Sequence, residues 1–244
     1  MEAAPDSSAA DNGHRFVRNG RESHVHVIPV AGDPDLGHLL VFGRPGDGCL
    51  VRVHSRCFYG ESLGSQDCDC GPELHKSLDF IQQEGAGVLV YLEQEGRGAG
   101  LVAKAMGYRE SERTGVDSFT AYHNLGFPID ARRYEYAAHS LLGLGLRWIR
   151  LLTNNPDKVQ ALREAGLLVH PEPIYTTPLS ERASFYLESK RRRRGHWIPR
   201  SEPEPALTSS PGGARSTRPL HRPLPGAPDP DRTAPRISFP RYHG

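Results

Sequence analysis

The 244-residue chain lacks the features that would place it in a membrane, in a secretory pathway or on nucleic acid. It has no run of about 18 apolar residues, which excludes a membrane-spanning helix. Its N-terminus has neither the basic stretch nor the apolar segment of a signal peptide. The net charge is only +1, so the chain as a whole has no electrostatic preference for nucleic acid. We therefore expect a cytoplasmic protein.

Apolar residues are also scarce, at 37% of the chain, and the shortage is concentrated at the two ends. Residues 199–244 contain 11 of the 21 prolines, and residues 1–14 are small and polar. Such segments cannot bury enough apolar surface to offset the entropy of ordering. We expect disordered tails over residues 1–15 and 199–244 that activity does not need, and one folded domain over residues 16–198.

The body of the chain mixes strand and helix patterns. Strands are predicted at 38–42, 50–54, 88–92, 148–153 and 167–170, with a turn over 43–48 that would join the first two as a hairpin. Helices are predicted at 72–84, 134–144, 155–165 and 180–194. This order predicts an α/β to α+β fold with a single mixed sheet whose early part is antiparallel.

The cysteines are few and clustered: Cys49, Cys57, Cys68 and Cys70. In a reducing compartment such a cluster indicates a metal site or catalysis rather than disulfides. The last three form a C-x10-C-x-C pattern, and three thiolates can hold Zn²⁺ with one tetrahedral position left for water, as in catalytic sites. Unligated thiols, or a closed structural site completed by His54 or His75, are the alternatives. The first cysteine begins an apolar strand and is expected in the core.

Five segments, one of which contains the last two cysteines, appear in a recognisable order: RVHS (52–55), DCDCG (67–71), QEGRG (94–98), HNLGF (123–127) and RLLTNNP (150–156). Together they resemble GTP cyclohydrolase II over roughly residues 36–196. The resemblance implies zinc-dependent opening of the imidazole ring of GTP, with release of formate and pyrophosphate. The product would be 2,5-diamino-6-ribosylamino-4(3H)-pyrimidinone 5′-phosphate, in the first step of riboflavin biosynthesis. The resemblance further implies Zn²⁺ on Cys57, Cys68 and Cys70, Mg²⁺ for pyrophosphate release, and a homodimer.

The resemblance also assigns roles to individual residues. Tyr108 would assist proton transfer in ring opening, and Asp130 would act as a general base. Arg132 would be the nucleophile that takes the α-phosphate; because an arginine pKa exceeds 12, electrostatic stabilisation is the alternative role. The nucleotide contacts would be Arg52, Val53, His54, Ser55, Arg56, Glu73, Glu95, Gly96, Arg97, Ser118, Thr153 and Lys158.

The residue types in this set suit a nucleotide, although simpler interpretations exist for two segments. Glu95 can accept hydrogen bonds from the guanine edge, and the guanidinium of Arg97 suits phosphate. Taken alone, residues 94–100 are more typical of a glycine-rich turn after a strand than of a nucleotide site. Asn154 or Asn155 followed by Pro156 is also a plain helix start.

Three positions depart from the family pattern, which usually has Glu, Gln and Thr where this chain has Arg56, Glu73 and Ser118. The first two either compensate each other as an ion pair or adapt the pocket to a different purine nucleotide. Two alternative functions therefore remain open: a paralogue acting on a related purine nucleotide, and a non-catalytic nucleotide-binding zinc protein. The five basic residues 190–194 are interpreted as a solvated helix end rather than a nucleic-acid site.

Overall fold

The computed structural model describes residues 12–32 and 34–199, so most of both predicted tails lies outside the described residues. The strands are β1 (His14–Arg18), β2 (Arg21–Pro29), β3 (Gly37–Phe42), β4 (Leu50–Ser55), β5 (Gly87–Leu92), β6 (Trp148–Leu152) and β7 (Leu168–Glu172). The α-helices are α1 (Phe58–Glu61), α2 (Cys70–Glu84), α3 (Leu101–Thr114), α4 (Ser118–Asn124), α5 (Glu135–Gly143), α6 (Pro156–Glu164) and α7 (Glu181–Arg194). No helix in this part of the chain is long and apolar enough to cross a membrane.

The strands form one mixed sheet in the order β1-β2-β3-β5-β4-β6-β7, which confirms the predicted fold class. Strands β1, β2, β3 and β5 are antiparallel, whereas β5, β4, β6 and β7 are parallel. The predicted hairpin between residues 38–42 and 50–54 is wrong, because β5 lies between β3 and β4. The connecting loop therefore crosses two strand spacings, about 10 Å, and β4 joins β5 through α2 as a parallel crossover.

Helices cover both faces of the sheet, and the alternation of side chains along β4 shows how. Val51 and Val53 face a core shared with Leu141 of α5 and Leu162 of α6. Leu50 faces the opposite core beneath α2. Because side chains alternate along a strand, the polar residues at 52 and 54 also point to the α2 side. The charged side chain at 52 and the titratable side chain at 54 are therefore buried next to the apolar residues beneath α2.

Every predicted helix and strand exists, with ends within two residues of the prediction, but several elements were not predicted. The turn of the β1–β2 hairpin is an Asn-Gly pair in which Asn19 and Gly20 have φ of 52° and 70°, as a type I′ turn requires. This turn signal was available in the sequence. The strand before it begins at His14, inside the predicted N-terminal tail. Helix α3 was not predicted because Gly107 interrupts its sequence pattern. Glycine fits this position because a Cβ there would lie 2.5 Å from Tyr122 Cε2.

Candidate active site

The sequence motifs converge at one edge of the sheet. Parallel strands β4, β5 and β6 end at Ser55, Leu92 and Leu152, and the segments that carry the motifs lie at these ends or directly after them. In sheets of this kind ligands bind at the carboxyl ends of the strands. The fold therefore brings the RVHS, QEGRG and RLLTNNP segments together although they are far apart in the sequence. Arg52 Nη1, for example, donates to the carbonyl of Leu152, 100 residues away, at 2.9 Å.

The three clustered cysteines form the centre of this edge. The sulfur atoms of Cys57, Cys68 and Cys70 all lie within 4.8 Å of one another, and among residues 12–32 and 34–199 no other group of three or more potential metal ligands occurs. Gly60 makes this approach possible, because a Cβ there would lie 2.7 Å from the Cys68 sulfur. Cys70 is the first residue of α2, where the helix dipole favours a thiolate. Cys49 lies apart, against the apolar core.

The chemistry of this donor set fits a metal ion. Cys57 Sγ and Cys68 Sγ are 3.6 Å apart, and this contact raises the pKa of the Cys57 thiol. Three thiols so close together cannot all ionise unless a cation offsets their charge. Thiolates are the ligands that Zn²⁺ prefers, and three of them leave one position open. The donor set therefore fits a metal ion that prefers sulfur ligands.

A buried lysine that the sequence analysis missed contacts this centre. Lys104 of α3 donates to Cys57 Sγ at 3.1 Å and to Glu95 Oε1 at 2.8 Å, and it is 7% exposed. The other carboxylate oxygen of Glu95 accepts from the Phe58 amide at 2.6 Å. Both oxygens of Glu95 are thus engaged by protein donors, which ties the QEGRG segment to the first cysteine. No motif marks Lys104, because it lies mid-helix between small residues.

A second cavity adjoins the cysteine centre and is strongly cationic. It is lined by Arg52, His54, Ser55, Cys70, Glu73, Arg97, Phe119, Arg132, Thr153, Asn154, Asn155, Lys158, Tyr186, Lys190, Arg194 and His196. We call it the cationic cavity. Six lysine and arginine side chains line it against one carboxylate, Glu73. The cavity around the cysteines shares Ser55, Cys70, Arg97, Arg132 and Tyr186 with it. The two compartments are therefore neighbours, as a ligand with a phosphate end and a reacting end would require.

The predicted pair Asp130 and Arg132 is a bidentate ion pair. Arg132 Nε donates to Asp130 Oδ1 at 2.9 Å and Nη2 donates to Oδ2 at 2.7 Å. Burial would raise the pKa of Asp130, but the hydrogen bonds from Arg132 lower it below its usual range. Burial acts against the charged form of Arg132, yet Tyr134 and Asp130 raise its pKa above the usual range. The guanidinium therefore stays protonated at the cavity wall.

Lys158 lies at the floor of the cationic cavity. Its ammonium donates to the carbonyl of Val53 at 2.8 Å, and the residue is 6% exposed. Burial, together with the nearby charges of Arg52 and Arg132, lowers the pKa of Lys158 well below its ordinary value. Next to it, the hydroxyl of Thr153 accepts from the Asn155 amide at 3.0 Å. The helix-start interpretation and the ligand-contact interpretation of this segment are thus compatible.

Arg97 stands where the two compartments meet, in an unusual conformation. Its φ is 58°, one of two positive values among the non-glycine residues that the structure describes. The guanidinium lies 3.7 Å above the ring of Phe119, and Nη2 donates to Ser118 Oγ at 2.8 Å. Nη1 is buried with no protein partner, as are Ser55 Oγ and His54 Nδ1. Backbone strain and unpaired polar atoms at one place are typical of a ligand site.

The remaining predicted residues fall around these compartments. Tyr108 lines the cysteine side, with its ring 5.8 Å from that of Tyr59, and burial raises the pKa of its phenol. His54 Nε2 lies 2.9 Å from Glu61 Oε1, and burial lowers the pKa of the imidazole to about 4. His54 is therefore engaged by Glu61, and it lies outside the cluster of three sulfurs.

The hypothesis that Arg56 pairs with Glu73 is wrong. Arg56 Nη1 donates to Glu93 Oε2 at 2.8 Å on the exposed rim, whereas the carboxylate of Glu73 on α2 is paired with Arg52 inside the cavity. These two departures from the family pattern therefore have separate partners, one on the exposed rim and one inside the cavity.

The basic run 190–194 is not simply a solvated helix end. Lys190 Nζ donates to both carboxylate oxygens of Asp69, at 2.6 and 2.8 Å. Arg193 pairs with Asp117 at 3.0 Å and Arg194 with Asp157 at 2.5 Å. Asp69, Lys190, Asn154 and His196 are all site neighbours that the sequence analysis left unassigned.

The fold and the site together define a class: an α/β protein whose three-cysteine centre adjoins a cationic cavity, an arrangement suited to metal-dependent chemistry on a phosphorylated compound. The family model of GTP cyclohydrolase II matches residues 12–172, and the chain belongs to this family.

Curated relatives agree with that membership. Over 180 residues the chain is 43% identical to the riboflavin biosynthesis protein RibBA of Bacillus cereus strain AH187, covering 74% of this chain and 43% of the relative. The proteins of the same name from Bacillus cytotoxicus and Bacillus mycoides are 45% and 42% identical over the same length. The chain thus spans less than half the length of these relatives.

Proposed function

We propose that this protein is a zinc-dependent GTP cyclohydrolase II. It would open the imidazole ring of GTP, release formate and pyrophosphate, and form 2,5-diamino-6-ribosylamino-4(3H)-pyrimidinone 5′-phosphate for riboflavin synthesis. The observation that carries the proposal is the three-sulfur cluster directly beside the cationic cavity. The family membership supplies the substrate class.

On the cysteine side, Cys57, Cys68 and Cys70 would hold the zinc ion, which when bound supplies a water that ionises near neutral pH. Lys104 fixes the Cys57 sulfur and contributes positive charge to the centre. Tyr108 lines the same compartment with a phenol that burial keeps protonated. Its role would be to donate a proton as the ring opens.

On the phosphate side, Arg97, Arg132 and Lys158 would bind the triphosphate. Arg132 is held protonated by its two bonds to Asp130, and a protonated guanidinium is a poor nucleophile. We therefore propose that Arg132 stabilises the charge that develops on the departing pyrophosphate. Asp130 orients that guanidinium and is less suited to act as a free base, because its lowered pKa reflects the same bonds.

Mg²⁺ would enter with the substrate. Of the described residues that line the cationic cavity, Glu73 is the one carboxylate, and it is paired with Arg52. The protein therefore offers few of the oxygen ligands that Mg²⁺ requires. Phosphate oxygens of the nucleotide would supply them, and the arginines would complete the neutralisation of charge.

A second candidate is the same chemistry on a related purine nucleotide. It is favoured by Glu73, whose carboxylate meets Arg52 inside the cavity where the family usually has glutamine. A non-catalytic zinc protein is the third candidate. A homodimer, as the resemblance implies, and a cytoplasmic location stay predictions; sedimentation and cell fractionation would test them.

Product analysis decides among the candidates. The zinc-loaded protein is incubated with Mg²⁺ and GTP, or with another purine nucleoside triphosphate, and the products are identified by mass spectrometry. Formate, pyrophosphate and the pyrimidinone from GTP support the first candidate. Turnover of another purine nucleotide in preference to GTP supports the second. Absence of formate from every nucleotide in zinc-replete protein would support the third, with Cys68→Ser as the blank for each assay.

A further inference from the structure

Helix α7 forms a wall of the cationic cavity, although none of the nucleotide contacts that the resemblance assigns lies on this helix. Lys190 and Arg194 line the cavity, together with His196 just after the helix. These two cationic residues are four positions apart and so lie on the same face of the helix. The cavity therefore has a side that none of the recognised motifs supplies.

The other basic residues of α7 point elsewhere. Arg191 and Arg192 both pair with Glu188 of their own helix. The side chain of Arg192 is 72% exposed, whereas that of Lys190 is 14% exposed. The run of five basic residues thus divides into two that face the cavity and three that do not.

Contacts across the site hold α7 against the elements that carry the motifs. Lys190 is bonded to Asp69, which stands between Cys68 and Cys70. After the helix, the amide of Trp197 donates to the carbonyl of Asn154 at 2.9 Å. Ser180 Oγ, at the start of the helix, donates to the carbonyl of Gln66 at 2.9 Å. The helix is therefore positioned at both ends and in the middle.

The two cavity-facing cations keep donor capacity for a ligand. A lysine ammonium has three donors, and Asp69 accepts from Lys190 twice. Arg194 has five donors; Nη2 bonds Asp157 Oδ2 at 2.5 Å and lies 3.8 Å from Asp130 Oδ2. The side chains of Arg194 and Asp157 are 33% and 41% exposed, and an ion pair so open to water is weak. A phosphate can therefore compete with Asp157 for this guanidinium.

We propose that α7 is a phosphate-binding wall of the active site, with Arg194 and Lys190 donating to the phosphate oxygens of the substrate. Arg194 exchanges Asp157 for phosphate when the ligand enters, whereas Lys190 keeps Asp69 and so links the phosphate end to the cysteine loop. The inference rests on the proposed function for the nature of the substrate, but its binding test does not need turnover.

Affinity of the full-length, zinc-loaded protein for inorganic triphosphate, measured by calorimetry, tests the proposal. Arg194→Gln should weaken binding by about tenfold or more, since bonds to a charged partner are lost. The matched control is Arg192→Gln, the same change on the exposed face, which should bind as the wild type does. Equal affinities for the wild type and Arg194→Gln would overturn the role of Arg194.

A double-mutant cycle separates direct contact from a general field effect. Asp157→Asn should tighten triphosphate binding because it releases Arg194, and the gain should vanish in the Asp157→Asn, Arg194→Gln double variant. A gain that persists in the double variant would come from the loss of a negative charge alone and would contradict the exchange.

The role of Lys190 is tested with a second measurement, the zinc content of the variant protein. Lys190→Met should lose triphosphate affinity while zinc stays bound. If affinity falls only in proportion to the zinc that is lost, Lys190 merely stabilises the cysteine loop, and its assignment as a phosphate ligand is overturned. The proposed function fails separately: wild-type protein without formate production from GTP disproves that function, whereas turnover with unchanged triphosphate affinity in Arg194→Gln disproves this inference alone.

Discussion

The ammonium of Lys104 lies 3.1 Å from the sulfur of Cys57. Three thiolates around Zn²⁺ leave a net negative charge in a buried place, and a cation at hydrogen-bond distance from one ligand offsets it. Such partners also hold a ligand in its binding orientation. The contact joins α3 to the cysteine centre, and Glu95 on the other side of the ammonium extends it to the QEGRG segment.

Lys104→Met should therefore weaken zinc binding by about 10–100-fold. Competition with a chromogenic chelator measures this without any assay of turnover. The matched control is Lys76→Met, which removes an ammonium that donates to the Tyr175 carbonyl rather than to a cysteine. If Lys104→Met holds zinc as tightly as Lys76→Met, the charge of Lys104 has no part in the site.

The cysteines should divide into three ligands and one core residue. Cys68→Ser is expected to lose zinc, because it removes one of the three clustered sulfurs. Cys49→Ser should keep zinc, since Cys49 packs against the core. Elemental analysis of both purified variants decides the matter, and an empty site in Cys49→Ser would reverse the assignment.

Arg132→Gln should slow pyrophosphate release by about 10²-fold or more if the guanidinium stabilises developing charge. Arg133→Gln is the control, because that neighbour is 64% exposed and pairs with Glu135. Formate is measured in the same reactions. If ring opening does not depend on phosphate cleavage, a ring-opened triphosphate accumulates in Arg132→Gln. A lowered melting temperature with normal turnover per folded molecule would show that Arg132 only supports the fold.

Lys158 should link anion binding to proton uptake. Its pKa is lowered by burial and by Arg52 and Arg132, and a bound triphosphate would raise it again. Affinity for triphosphate should therefore fall as the pH rises through the interval between the Lys158 pKa of the free protein and that of the complex. Calorimetry in two buffers of different ionisation enthalpy reports the protons taken up, and Lys158→Met should lower their number. Equal uptake in wild type and variant would contradict the assignment.

The same lowered pKa predicts a stability effect with a defined sign. Between the folded pKa of Lys158 and its ordinary value of 10.5, the unfolded chain binds more protons than the folded one, so its unfolding free energy rises with pH. Lys158→Met should remove this contribution to the slope. Denaturant titrations across the alkaline range measure it, and an unchanged slope would show that Lys158 is charged in the fold.

The sequence alone was enough to predict the family. The C-x10-C-x-C pattern and the five ordered segments resemble GTP cyclohydrolase II, and the match of the family model over residues 12–172 confirms this membership. The local sequence also determined where some helices begin and end. Pro156 after Asn155 and the left-handed Gly85 fix where α6 begins and α2 stops.

Only the tertiary structure decided which partners these residues meet. Strand β5 enters between β3 and β4, so the predicted hairpin is absent, because pairing is settled by burial of whole strands rather than by the turn between two of them. Arg56 and Glu73 take separate partners for the same reason: contacts depend on which face a residue occupies after folding. Lys104 carries no local signal, and the basic run 190–194 does not reveal that Lys190 is buried. The two lysines reach Cys57 and Asp69 only because of how α3 and α7 pack in the fold.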